Sequence, residues 1–140
     1  MTFVEKSTLT MTLLLIAVFT GYFAVVLGPI AASPHRQGAF TGLVIAATVV
    51  LTILAVVSHV VLAVVFRAQA DAELDERDRL IALRSERIGG YILAVGVFAG
   101  ITVAILEAEA FWIAQVLLAA WVLAEVSEGV AKLALYRRGA

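Results

Sequence analysis

The sequence predicts an all-α polytopic membrane protein: four transmembrane helices in two antiparallel hairpins, with helices 2 and 3 extended into the cytoplasm. Three observations predict it. First, the 140-residue chain is 63% hydrophobic and 15% charged, with a mean hydropathy of +1.05, whereas soluble domains run about half apolar and about a quarter charged. That is more apolar surface than a globule of this size can hide, so lipid is the solvent. Second, four long apolar runs fill the chain, and the one large charged segment, RAQADAELDERDRLIALRSER at 67–87, separates the second run from the third. Third, nine of the ten lysines and arginines fall on one side of the spans.

The first span, 9–27, has about 19 residues, enough to cross a hydrocarbon core of roughly 30 Å. Gly28, Pro29 and Pro34 close it, because proline lacks a backbone donor and disfavours helix before it. The run exceeds the roughly 7 to 15 residues of a signal-peptide core and so reads as a span. The second, 39–66, has about 28 residues and would measure about 42 Å as a helix. It must tilt or protrude, and the helix formers Ala68, Gln69, Ala70 and Ala72 predict that it protrudes. The third and fourth spans, 88–106 and 110–133, are separated only by Glu107, Ala108 and Glu109. So short a connection makes them antiparallel neighbours. The whole chain, 1–140, forms one transmembrane domain.

Lys6, Arg67, Arg77, Arg79, Arg84, Arg87, Lys132, Arg137 and Arg138 share one side of a four-span chain, and only Arg36 is on the other. This positive-inside bias places both termini and the 67–87 connection on the cytoplasmic side. A net charge of -1 gives no basic field for nucleic acid. The chain has no cysteine, which removes disulfides and thiol chemistry. It also lacks a phosphate-cradling glycine loop, a paired-histidine metal motif and a glycine-flanked serine nucleophile. No enzyme activity, cofactor or metal is therefore expected.

A shift of 79 residues places Leu14, Val18, Phe19, Gly21 and Leu27 on Leu93, Val97, Phe98, Gly100 and Leu106. Near the ends of spans 2 and 4, Ser58-His59 resembles Ser127-Glu128. This pattern suggests two hairpins in tandem.

The charged connection is the most specific feature. Asp75 can cap a new helix, with Asp78 as the acidic member of a capping box, and no breaker follows before Gly89. Glu73 with Arg77 and Asp75 with Arg79 have the spacing of intrahelical ion pairs. Leu80, Ile81, Arg84 and Ile88 form one helical stripe, an apolar seam below the bilayer that can hold a partner or the tail of helix 2. The plain alternative is a solvated hairpin that only joins two spans.

The run DERDRLIALRSERIGGYIL resembles the charged D-E-R-x-x-x-I segment, followed directly by a transmembrane helix, of an uncharacterised family of small prokaryotic four-span membrane proteins. The matching positions are Asp75, Glu76, Arg77, Ile81 and Arg87, and the topology agrees over nearly the whole chain. The resemblance implies a membrane-bound companion of a small DNA-binding regulator, without enzyme activity.

Carboxylates within an apolar helix are costly unless neutral, paired or wet. Glu125 and Glu128 lie three apart on one face of span 4, and His59 of span 2 falls at a similar depth. Together they can form a proton-sensitive or cation site. The structural alternative pairs Glu128 with Lys132 and Glu125 with a loop arginine, and bonds His59 to a hydroxyl or carbonyl. At the outer turn, Glu107 and Glu109 are solvated neighbours of Phe111 and Trp112, within reach of His35 and Arg36. Gly96 and Gly100 form a G-x-x-x-G face in span 3, and Gly38 and Gly42 repeat the spacing in span 2. Such faces allow close helix packing within or between protomers. The threonines at 10, 12, 20, 48, 52 and 102 can bond back to their own helices.

These features point to a non-enzymatic regulatory or anchoring protein in contact with lipid. Its cytoplasmic hairpin, through Asp75, Glu76, Arg77, Asp78, Arg79, Leu80, Ile81, Arg84 and Arg87, would bind a soluble partner such as a transcription regulator. Two alternatives remain open: a small oligomeric transporter or proton-linked channel using His59, Glu125 and Glu128, and a structural subunit of a membrane complex. A homo-oligomer fits either.

Overall fold

A computed structural model describes residues 3–66 and 76–138, and among these the chain is helical with no strand. Four helices result: α1 (Phe3–Val25), α2 (Arg36–Val65), α3 (Glu76–Ile105) and α4 (Ala110–Arg138). Each is long and apolar enough to cross a membrane. At about 1.5 Å per residue, the 30 residues of α3 outrun a hydrocarbon core of about 30 Å. Its excess is the charged stretch before Ile88.

Two ends differ from the sequence expectation. The first helix does not stop at Leu27: it continues through Gly28 and Pro29 as a π-helical turn, Val26–Ile30. The wider turn, in which the Ala31 N–H donates to Val26 O at 2.9 Å, carries the chain past a proline that has no N–H to give and whose ring would crowd a regular turn. Helix α2 starts at Arg36 rather than 39 and ends at Val65, where Phe66 leaves helical geometry while its N–H still bonds Leu62 O at 2.9 Å. The expected helical continuation through 68–72 and the cap at Asp75 lie outside the described residues. So does the Glu73–Arg77 pair.

The order of packing is α2, α1, α4, α3. Helix α3 lies along α4, α1 packs on both α4 and α2, and α2 only grazes α4. Glycines explain how closely α3 and α4 approach. A Cβ on Gly96 would collide with Ala120, one on Gly100 with the Leu117 side chain, and one on Gly89 would meet Ala124 O and Glu128. Lipid offers no hydrophobic drive between helices, so close van der Waals contact at small residues must hold the pair. Gly38 and Gly42, by contrast, face open space.

Helix α1 and the π turn that continues it bury a stripe of Leu15, Phe19, Tyr22 and Val26, which meets Phe40 of α2 and Phe111 and Val122 of α4. The spacing is that of one helical face. Edge-to-face aromatic pairs knit this layer, Phe19 with Trp121 at 5.7 Å and Phe40 with Phe111 at 5.3 Å between centroids. Thr48 and Thr52 donate to Val44 O and Thr48 O at 2.8 Å, and Thr10 and Thr102 do likewise at 2.9 Å within their own helices. Thr12 is different: it is buried, and its hydroxyl lies where Gly129 of α4 would carry a Cβ.

Candidate functional site

The N-terminal ends of α1 and α3 and the C-terminal ends of α2 and α4 gather at one end of the molecule, which carries most of the basic residues. There all four helices line a crevice of about 300 Å³. Helix α1 supplies Phe3, Val4, Ser7 and Thr8, and α2 supplies His59. Helix α3 gives Asp78, Arg79 and Ala82, and α4 gives Lys132 and Tyr136. Helices α1, α3 and α4 each contribute residues one, three or four apart along one face, so a single face of each turns inward.

Local bonds fix this geometry. The Tyr136 hydroxyl donates to Asp78 Oδ1 at 2.8 Å, and Arg77 Nη2 donates to the Tyr136 carbonyl at 3.4 Å. The first turn of α3 thereby satisfies a carbonyl that the C-terminus of α4 leaves without an intrahelical partner. On the opposite wall, Ser7 Oγ and His59 Nδ1 are 3.5 Å apart, and the His59 ring stands edge-on to Phe3 at 5.9 Å. Lys6 Nζ sits 3.5 Å above the Phe66 ring, a cation–π contact joining the start of α1 to the end of α2.

The trio expected to form one intramembrane site is divided. His59 faces α1, whereas Glu128 faces Gly89 of α3 and feels the charges of Glu125, Glu86 and Lys132. His59 nevertheless lines the same crevice as Lys132, one turn from Glu128. Glu128 has Lys132 in its surroundings, Ser7 Oγ lies 3.5 Å from His59 Nδ1, and Glu125 is exposed. At the far turn, Glu107 and Glu109 flank Ala108, and the side chain of Arg36 lies outside the description. The His35 N–H donates to Ser33 Oγ at 3.2 Å.

The charged stretch of α3 also divides. Ile81 is only 2% exposed and Ser85 is buried, so this face packs into the fold and is not presented to a partner. Asp78 is engaged by Tyr136. Leu80, Leu83, Arg84 and Arg87 point outward with Glu76, while Arg77 and Arg79, although exposed, reach the Tyr136 carbonyl and the crevice. Asp75 lies outside the described residues.

No family model, curated protein or solved structure matches this chain. The reading of its sites therefore stands on the chain's own geometry.

Sequence reasoning passed over Tyr136, Ser7 and Thr8, and also a polar pair in the apolar layer. The Tyr22 hydroxyl donates to Gln115 Oε1 at 3.1 Å between α1 and α4, and Gln115 Nε2 is buried without a partner. The signals were present. Gln115 is the only amide in α4, and an amide in an apolar span is a candidate for an interhelical bond. Tyr136 follows Lys132 by four residues and so shares its face. Gln115 also lines an apolar groove of about 760 Å³ between α1 and α4, walled by Phe19, Phe23, Trp112 and Leu123.

Proposed function

We propose that the protein is a non-enzymatic anchor of a prokaryotic inner membrane, with both termini cytoplasmic, and that the start of α3 docks a soluble protein. One observation carries this reading: Leu80 and Leu83 are 55% and 60% exposed on a segment that precedes the span, although Ile81 between them is buried. Leu80, Leu83, Arg84 and Arg87 have the spacing of one helical face. Leu80 lies about 12 Å of helix before Ile88, so two exposed leucines flanked by arginines are offered outside the hydrocarbon. A partner with an apolar groove and an acidic rim complements that face. A small transcription regulator is the candidate that the D-E-R-x-x-x-I resemblance implies.

The transport alternative is the weaker one, since His59 meets Ser7 and Phe3 of α1 whereas Glu128 meets Gly89 of α3. A chain without cysteine allows a clean test. A single Leu83→Cys should react with a membrane-impermeant maleimide only after the cytoplasmic side is opened. A photo-crosslinker at Leu83 should give a discrete protein adduct that Arg84→Glu with Arg87→Glu abolishes, while one at the exposed Phe98 should give lipid adducts. Labelling from outside, or an adduct that survives charge reversal, would overturn the reading.

A further inference from the structure

We propose that the four-helix crevice binds the phosphate of an anionic phospholipid from the leaflet that meets this end of the molecule. The inference goes beyond protein docking and uses a different face of α3.

The crevice is rich in donors. Arg79 brings a guanidinium fork, Lys132 an ammonium, and Ser7, Thr8 and His59 add hydroxyl and imidazole groups. The one carboxylate in its lining, Asp78, already accepts the Tyr136 hydroxyl. A group presenting several acceptor oxygens and negative charge complements such a wall, and phosphate does so with arginine in particular. Size narrows the choice. About 300 Å³ is at the lower limit of small-ligand sites, which suits a headgroup phosphate and is small for a nucleotide. Position favours lipid as its source, because the crevice opens where the apolar spans end, and Phe3, Val4 and Ala82 give it an apolar side. Basic pockets between transmembrane helices are a recurrent way to hold such headgroups.

Two carboxylates border the site. The charge of Glu5 reaches Tyr136, and Glu128 lies one turn along α4 from Lys132. They limit the excess of positive charge, so recognition should depend on the placement of donors and not on bulk charge. That distinction can be measured.

The full chain in mild detergent, without any partner protein, is given phosphatidylglycerol, phosphatidylcholine with the same acyl chains, or inorganic phosphate, and occupancy is read by native mass spectrometry. Phosphatidylglycerol should exceed phosphatidylcholine on the order of tenfold. Arg79→Gln with Lys132→Gln should bring the ratio to about one. Arg137→Gln with Arg138→Gln, an equal loss of charge at the exposed end of α4, should preserve it. Should the double crevice variant fail to keep parental helicity, Arg79→Gln alone is read, with an expected fall of about threefold. Equal loss in the tail variant, or no preference in the parent, overturns the site. Displacement of the lipid by equimolar inorganic phosphate overturns the lipid assignment in favour of a free phosphate. Because no docking protein is present, failure here leaves the Leu83 crosslinking result untouched.

Discussion

The two hairpins are alike in length, yet they are held together by different means. Helices α3 and α4 interlock through Gly89, Gly96 and Gly100 against Ala124, Ala120 and Leu117. Helices α1 and α2 meet at their ends through the Phe3–His59 edge and the Lys6–Phe66 contact, and the apolar window of α2 has no buried residue. Positions matched by the 79-residue offset show the same contrast. Phe19 is 1% exposed and Phe98 is 71% exposed, while Gly21 faces open space and Gly100 lies under Leu117. The offset therefore does not mark equivalent environments. Hydropathy puts a helix into lipid, but small residues decide which of its faces meets a neighbour.

The largest expected effect breaks the tight hairpin. Gly96→Leu places a branched side chain into Ala120, and overpacking of this kind costs about 1–3 kcal/mol or more. Gly42→Leu makes the same change in open space and should stay within about 0.5 kcal/mol of the parent. Thermal unfolding of both variants in one detergent checks the pair. Equal destabilisation would show that the two glycine faces are not as different as their surroundings suggest.

What the sequence made legible follows from the same physics. The number of spans, their antiparallel order and the gathering of basic helix ends could be read because hydropathy, short connections and charge bias are properties of long segments. The π turn at Pro29 could not, since proline only forbids a regular turn and does not say how the chain avoids the clash. Nor could the inward turn of Ile81. Ile81 and Leu80 are adjacent and both apolar, and only the line of approach of α4 separates a packed residue from an exposed one. The surroundings of His59, Glu125 and Glu128 could not be read for a related reason. Depth along the membrane can be counted from the sequence, but which helix each side chain meets cannot.

An intermediate effect tests the bond between the hairpins. Tyr22 and Gln115 join α1 to α4 within the apolar layer, where interhelical hydrogen bonds average about 0.6 kcal/mol and reach about 1.7. Tyr22→Phe should cost about 1 kcal/mol, because it leaves a second buried atom of Gln115 without a partner. Tyr22→Phe with Gln115→Leu removes both polar groups and should recover most of that loss. A double-mutant cycle by reversible detergent unfolding separates the terms. A double variant less stable than Tyr22→Phe alone would mean that the amide contributes through packing rather than through its bond.

The smallest effect has the opposite sign and lies at the turn of the tight hairpin. Helix α3 ends with the Glu107 N–H donating to Ala104 O at 3.0 Å and the Ala108 N–H donating to Val103 O at 3.2 Å. This is the Schellman arrangement, whose left-handed position usually holds glycine. Glu107 occupies it with φ of 55°, at a steric cost that glycine escapes. Glycine also loses more backbone freedom on folding, which offsets part of the relief, so Glu107→Gly should stabilise by about 0.5 kcal/mol. The carboxylate is exposed, so little else is lost. Gly28→Ala at the other hairpin's turn meets open space and no positive φ and should not bring the left-handed cost that Glu107 carries. Should Glu107→Gly instead destabilise the chain, the carboxylate itself must stabilise the turn, and the close fit of α3 on α4 would depend on that charge as well as on its glycines.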